Sequence, residues 1–179
     1  MEKVTLHDKT FVSYIPNKDI VEATKVLSQK VNDYYQGSED IPVVLCVMNG
    51  ALLFAGELLP RLDFPLEVMT VKLSSYQGTE STGVIHEISG ITGDVKGRRV
   101  LVVEDIVDTG QTVEYISYSL KKKGASEVKI CTMLLKPEVY KREIPLDFVA
   151  MEIPNRFIVG YGLDYNELGR NLKDIYVLE

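Results

Sequence analysis

The chain has 179 residues, 45% hydrophobic and 26% charged, which is enough for one well-packed domain and short for two. Its net charge of −6, with Lys121, Lys122 and Lys123 as the only basic run, argues against a general attraction for nucleic acid or an anionic membrane. No apolar run approaches the roughly 20 residues of a membrane helix and MEKVTLHDKT has no apolar signal core, so the expected location is cytoplasmic.

NKDIVEATKVLSQKVNDYYQG opens on Asn17 as candidate cap, repeats Ile20, Thr24, Leu27, Val31 and Tyr34 near helical spacing, and stops at Gly37. It reads as an amphipathic helix. IPVVLCVM is a short apolar run rich in valine, as in a strand buried on both faces, and NGALLFAGELLP follows as a turn and a helix closed by Pro60. PLEVMTVKL is a second strand. Residues 74–83, SSYQGTESTG, are small and polar, a loop long enough to be functional, and VIHEIS beyond them has the pattern of a strand pairing back. RRVLVVEDI is a third strand. TVEYISYSLKKKG puts Val113, Ile116 and Leu120 on one helical face before the Gly124 stop, its lysines complementing the helix dipole, and EVKICTMLL is another strand. This alternation predicts an α/β fold with a mostly parallel central sheet flanked by helices. Cys46 and Cys131 lie inside apolar stretches and read as buried free thiols, not as a disulfide or metal ligands.

VLVVEDIVDTGQTV concentrates the chemistry. Glu104, Asp105 and Asp108 fall within five positions after an apolar strand, at the carboxyl edge where open α/β sheets bind ligands. DTGQT then starts a helix, with a glycine for a tight turn and two hydroxyls, Thr109 and Thr112, beside unpaired amides that suit phosphate. The simpler reading is that Asp108 or Thr109 caps the helix while Glu104 and Asp105 face solvent. A cap needs one such residue, however, and three close carboxylates repel one another unless a cation, a hydroxyl-rich ligand or a proton intervenes. A divalent metal with a phosphorylated sugar satisfies both halves of the motif. Other nucleotide sites are excluded: Gly-Lys occurs nowhere, so there is no P-loop, and in GYGLDYNELG Tyr165 stands where a dinucleotide fingerprint needs its third glycine. There is no G-x-S-x-G elbow, and His7 and His86 have no cysteine or histidine close by to suggest zinc.

VLVVEDIVDTGQT resembles the phosphoribosyl pyrophosphate signature of the type I phosphoribosyltransferases. VMNGALLF, LSSYQGTESTG, LLKPE and FIVGYGLDYNELGRNL are similar, in order and spacing, to segments of hypoxanthine-guanine phosphoribosyltransferases, a match running from about Val43 to Val177. The resemblance implies one phosphoribosyltransferase domain over residues 1–179, with a small hood built from the N- and C-terminal segments. It also implies roles for individual residues. Asp108, Thr109, Gly110, Gln111 and Thr112 would hold the 5′-phosphate, and Glu104 and Asp105 would face the ribose hydroxyls, directly or through Mg2+. Lys136 would donate to the purine 6-oxo group, Phe157 would stack on the base, and the Ile158 backbone would bond the ring. Asp164 would sit near a second magnesium. Arg170 would contact pyrophosphate together with Met48, Asn49 and Gly50, a loop that in this family often contains a non-proline cis peptide. Ser75 and Tyr76 would belong to a loop closing over the reacting centre.

Taken singly, these residues have plainer readings: Lys136 as a solvated strand end, Phe157 as core, Asp164 as a turn cap, Arg170 as the helical partner of Glu167. Two positions depart from the family, in which many members carry lysine or arginine at Asn49 and some carry lysine at Ser74. The implied reaction is transfer of a phosphoribosyl group to purine N9 as pyrophosphate leaves C1′. Asp108 near N7 would act as general base or proton acceptor, magnesium would steady the leaving group, and the 74–83 loop would exclude water. The implied partners are phosphoribosyl pyrophosphate and a 6-oxopurine, with no nucleic acid or membrane, in a homodimer or homotetramer. Alternatives are a xanthine-preferring relative and a nucleotide-sensing, RNA-binding regulator on the same fold, the latter disfavoured by the lack of a basic face.

Overall fold

The computed structural model describes residues 2–75, 85–91 and 93–179. Its elements in chain order are β1 (Lys3–Leu6), β2 (Lys9–Ile15), α1 (Asn17–Tyr35), β3 (Val43–Met48), α2 (Leu52–Leu58) with a 3-10 turn (Leu59–Arg61), β4 (Glu67–Ser75) and β5 (Ile85–Ser89). After these come β6 (Arg99–Val107), α3 (Gln111–Lys122), β7 (Glu127–Leu135), β8 (Phe148–Glu152), β9 (Ile158–Val159) and β10 (Ile175–Leu178).

A six-stranded sheet runs in the order β5-β4-β3-β6-β7-β8, and every neighbouring pair is parallel except β4 with β5. The continuous apolar runs follow from burial on both faces. On β3, Val44 and Cys46 pack with Ile20, Leu27 and Val31 of α1 and Phe54 and Leu58 of α2, while Val43, Leu45 and Val47 pack with Val113, Ile116 and Leu120 of α3. β5 pairs back on β4 as its sequence suggests. Cys46 and Cys131 are free and buried, and burial pushes the Cys46 thiol up to about 11.

A second sheet, β1-β2-β10-β9, joins the two ends of the chain in antiparallel pairs around Leu6, Phe11, Val159 and Tyr176. This is the expected hood. It also corrects one expectation about α1. Asn17 is the first helical residue and not the cap, because Pro16 occupies the cap position with extended backbone, and the orphan Asn17 amide donates 2.6 Å to Asp174 Oδ1 beside β10. The cap comes from 157 residues away. At the other end of the central sheet, α3 carries Lys121 and Lys122 in its last turn and stops at Gly124, whose φ of +86° is a conformation open to glycine.

Candidate active site

β6 delivers Glu104 and Asp105 to the carboxyl edge of the sheet, where they are 6% and 7% exposed and do not point into solvent. Burial, reinforced by the charge of Asp105 beside it, holds the Glu104 carboxyl well above the usual range, and Glu104 Oε2 is buried without a hydrogen-bond partner. Asp105 is raised by burial too, offset by the Ile106 N–H that donates to its Oδ1 at 2.9 Å and by the charge of Arg170. Two adjacent carboxyls of this kind are stable only when one keeps a proton or something cationic or hydroxylic meets them.

Two cavities share these acids. One, of about 260 Å³, is lined by residues 104–113 and so by the whole DTGQT turn. Gly110 takes φ +83° as the helix cap and α3 has no side-chain cap, so neither Asp108 nor Thr109 spends its oxygens on the helix start. The other, of about 340 Å³, lies between Met48, Asn49, Gly50, Gln111, Thr112, Asp164 and Arg170, with Glu104 and Asp105 at its floor. The Met48–Asn49 peptide is cis. Gly50 is wedged in place: a Cβ there would strike the Asp105 carboxylate, and one on Gly162, at φ +102°, would strike the Gly50 carbonyl. Gly162, which backs Gly50, and Leu73, which lines the cavity, carry no mark in the sequence.

Arg170 reaches the second cavity from a loop and not from a helix. It donates to the Gly162 carbonyl at 2.9 Å and pairs with Asp164 at 2.8 Å, with Glu167 farther off at 3.6 Å, and its buried Nε is unpartnered. Asp164 does cap a turn, accepting the Glu167 amide at 2.8 Å, while still facing the cavity.

Lys136 follows β7 and is 7% exposed, so it is no solvated strand end; its Nζ donates to Asp108 Oδ2 at 2.9 Å. Phe157 is 45% exposed and therefore not core. Phe157 and Ile158 line neither cavity. They stand at the open edge of the hood, where the Leu178 N–H donated to Phe157 O, with Ile158 opposite Val177, directs the Ile158 N–H and C=O away from β10. Tyr76 and most of the 74–83 loop lie outside the described residues, as does the side chain of Ser75. Among the described residues no three His, Cys, Asp or Glu side chains converge as a metal cluster, so Glu104 and Asp105 do not form one with Asp164.

The profile of the phosphoribosyl transferase domain matches residues 13–166. The chain belongs to the phosphoribosyl transferase domain family. Within this family it is 42% identical over 166 residues to the hypoxanthine-guanine phosphoribosyltransferase of Streptococcus pneumoniae strain R6, covering 92% of this chain and 91% of that one. The corresponding Lactococcus lactis protein is 41% identical over the same length, with 92% and 89% covered. A crystal structure of a hypoxanthine phosphoribosyltransferase from Staphylococcus aureus superposes with a TM-score of 0.86 at 35% identity, covering 93% and 90% of the two chains. A hypoxanthine phosphoribosyltransferase variant from Trypanosoma cruzi, in a ternary complex with its substrates, gives 0.85 at 31% identity and covers 93% and 94%.

Proposed function

We propose that this phosphoribosyltransferase is a purine salvage enzyme that moves the 5-phosphoribosyl group of phosphoribosyl pyrophosphate to N9 of hypoxanthine and/or guanine, yielding IMP or GMP and pyrophosphate. The observation that carries the reading is the Lys136–Asp108 pair. A buried ammonium lies 2.9 Å from a carboxylate beside the DTGQT turn, so a donor and an acceptor stand side by side. A 6-oxopurine offers the complement on one edge, an N7–H for Asp108 and an acceptor oxygen for Lys136. A 6-aminopurine turns an amine toward the ammonium, donor against donor.

The other residues follow from that pose. The amides and hydroxyls of residues 108–112, at the start of α3, bind the 5′-phosphate with the helix dipole behind them. Glu104 and Asp105 face the ribose hydroxyls, which can meet the unpartnered Glu104 Oε2. Residues 48–50 and Arg170 hold the pyrophosphate, Phe157 stacks on the base, and the outward N–H and C=O of Ile158 bond its ring. Asp108 receives the N7 proton as electron density moves from the purine into the new N9–C1′ bond. Ser75 and Tyr76 close the site against water.

Magnesium fits the donor set. The second cavity carries the carboxyls of Glu104, Asp105 and Asp164 against Arg170 alone, so even with a proton on Glu104 the acids outnumber the cation, and an anionic substrate alone would worsen that balance. The donors are hard carboxylate oxygens, two of them on adjacent residues, which suits an ion held by one or two carboxylates and by substrate oxygens. Glu104 and Asp105 would hold one Mg2+ and Asp164 a second; bound there, magnesium neutralises charge on the leaving pyrophosphate. The same reading takes residues 1–179 as one domain, working in the cytoplasm as a homodimer or homotetramer, and no helix among the described residues is long and apolar enough to cross a membrane. The test is to incubate the protein with hypoxanthine or guanine, phosphoribosyl pyrophosphate and Mg2+ and measure products. One pyrophosphate should appear for each nucleoside monophosphate; pyrophosphate without nucleotide would refute the transfer.

A further inference from the structure

Tyr165 follows Asp164 directly, and its ring meets that of Phe157 edge-on, with centroids 5.8 Å apart and planes at 87°. Behind both rings lies Phe11 of β2, fully buried, at 6.0 Å from Phe157 and 6.2 Å from Tyr165. Tyr165 is held from the far end of the chain: its hydroxyl donates to Asp8 Oδ1 at 2.7 Å, and Lys9 Nζ sits 5.5 Å over its ring. His7, in the same β1–β2 turn, places Nε2 3.1 Å from the Asn166 carbonyl. The turn so gripped is tight. Tyr165 and Leu168 exchange both backbone hydrogen bonds, while Asn166 and Glu167 take φ of 47° and 69°.

We propose that Tyr165 is a positioning residue for the purine: anchored by Asp8, its ring fixes the angle of the Phe157 ring and ties that platform to the Asp164–Arg170 loop. The proposal rests on the reading of Phe157 as the surface on which the base stacks. Phe157 is 45% exposed and directly precedes a strand of two residues, so its ring is restrained chiefly by Phe11 behind it and by Tyr165 before a base arrives. A face already set in the bound orientation loses less freedom on binding, and a single perpendicular neighbour leaves at least one face of the Phe157 ring clear of it, in keeping with the 45% exposure of that residue. Tyr165 thus acts through Phe157 and touches no substrate atom itself. Its partner Asp8 lies 157 residues away in sequence, on the hairpin that closes the hood.

The test compares Tyr165→Leu, Tyr165→Phe, Asp8→Ala, the double variant Tyr165→Phe with Asp8→Ala, and Phe157→Leu, reading kcat, KM for hypoxanthine, KM for phosphoribosyl pyrophosphate and the thermal midpoint. Tyr165→Leu should raise the hypoxanthine KM about 2- to 12-fold, the range one edge-on aromatic contact supports, with the phosphoribosyl pyrophosphate KM moved much less. Tyr165→Phe and Asp8→Ala each remove the same hydrogen bond, so each should raise the hypoxanthine KM by the same smaller factor, and the double variant should add nothing. Asp8→Ala and Tyr165→Phe are peripheral changes that keep the test decisive if Tyr165→Leu fails to fold. A hypoxanthine KM that rises in Phe157→Leu but not in the Tyr165 and Asp8 variants overturns the positioning role and leaves the platform standing. A silent Phe157→Leu overturns the platform itself, and the positioning role with it. Equal rises in both KM values alongside a lower thermal midpoint would show a merely structural contact and overturn the proposal as well.

Discussion

Replacing Lys136 by Met removes the ammonium while keeping the unbranched stem and most of its volume, so packing at a residue 7% exposed is nearly preserved. Two consequences separate. Asp108 loses its partner at 2.9 Å, but its side chain is 46% exposed and water can replace that bond, so the stability loss should stay below about 1 kcal/mol. The purine loses a charge-assisted hydrogen bond to its 6-oxo group, worth about 1.5 to 3 kcal/mol, or roughly 10- to 150-fold in kcat/KM for hypoxanthine. Adenine, which never had that bond, should lose little, so discrimination between the two bases should shrink by a similar factor. The assay is steady-state kinetics with both bases beside a thermal melt. Unchanged hypoxanthine kcat/KM, or equal losses for both bases tracking a fall in thermal midpoint, would refute the donor role.

Asp108→Asn keeps size but cannot take a proton, so kcat should fall by about 10- to 1,000-fold with a smaller effect on the KM for phosphoribosyl pyrophosphate, checked by single-turnover and steady-state rates. Glu104 is raised above its ordinary 4.5, so the folded chain keeps a proton that the unfolded chain releases; its contribution to stability is full below pH 4.5 and is lost as pH rises through the folded value. Without ligand, the thermal midpoint should therefore decline from about pH 5 upward, and Glu104→Gln should flatten that slope while weakening phosphoribosyl pyrophosphate binding and altering its magnesium dependence. Asn49→Lys places a cation at the rim of a cavity with three carboxylates and one arginine, and pyrophosphate affinity measured by calorimetry should tighten by about 2- to 5-fold, as for a partly exposed ion pair.

The central sheet was legible because β3, β6 and β7 are buried on both faces and so read as unbroken apolar runs; Val43 and Val44 serve opposite layers of helices. The hood was legible only by resemblance. β9 has two residues, β1 alternates weakly, and their pairing joins residues 3–15 to 158–178, distances that local pattern does not encode. The same distance explains the error at Asn17, where a polar residue in the right place suggested a local cap and Asp174 supplied a remote one. In the site, the acidic run was visible because it is contiguous. The Lys136–Asp108 bond was not, since it crosses from β7 to the end of β6 and takes its meaning from burial. Gly162 and Gly50 matter through a backbone contact that no spacing announces.

The central claim, that a donor and an acceptor at Lys136 and Asp108 select a 6-oxopurine for phosphoribosyl transfer, is tested most directly by initial rates with hypoxanthine, guanine, xanthine and adenine measured side by side, each with phosphoribosyl pyrophosphate and Mg2+. The account predicts that hypoxanthine and/or guanine give the highest kcat/KM, with adenine lower by at least about 100-fold, because a site built around a hydrogen-bond donor rejects a base that offers it another donor. Adenine turned over as well as hypoxanthine would contradict it, whereas xanthine preferred to both would leave the donor–acceptor pair standing and overturn only the choice of hypoxanthine and guanine.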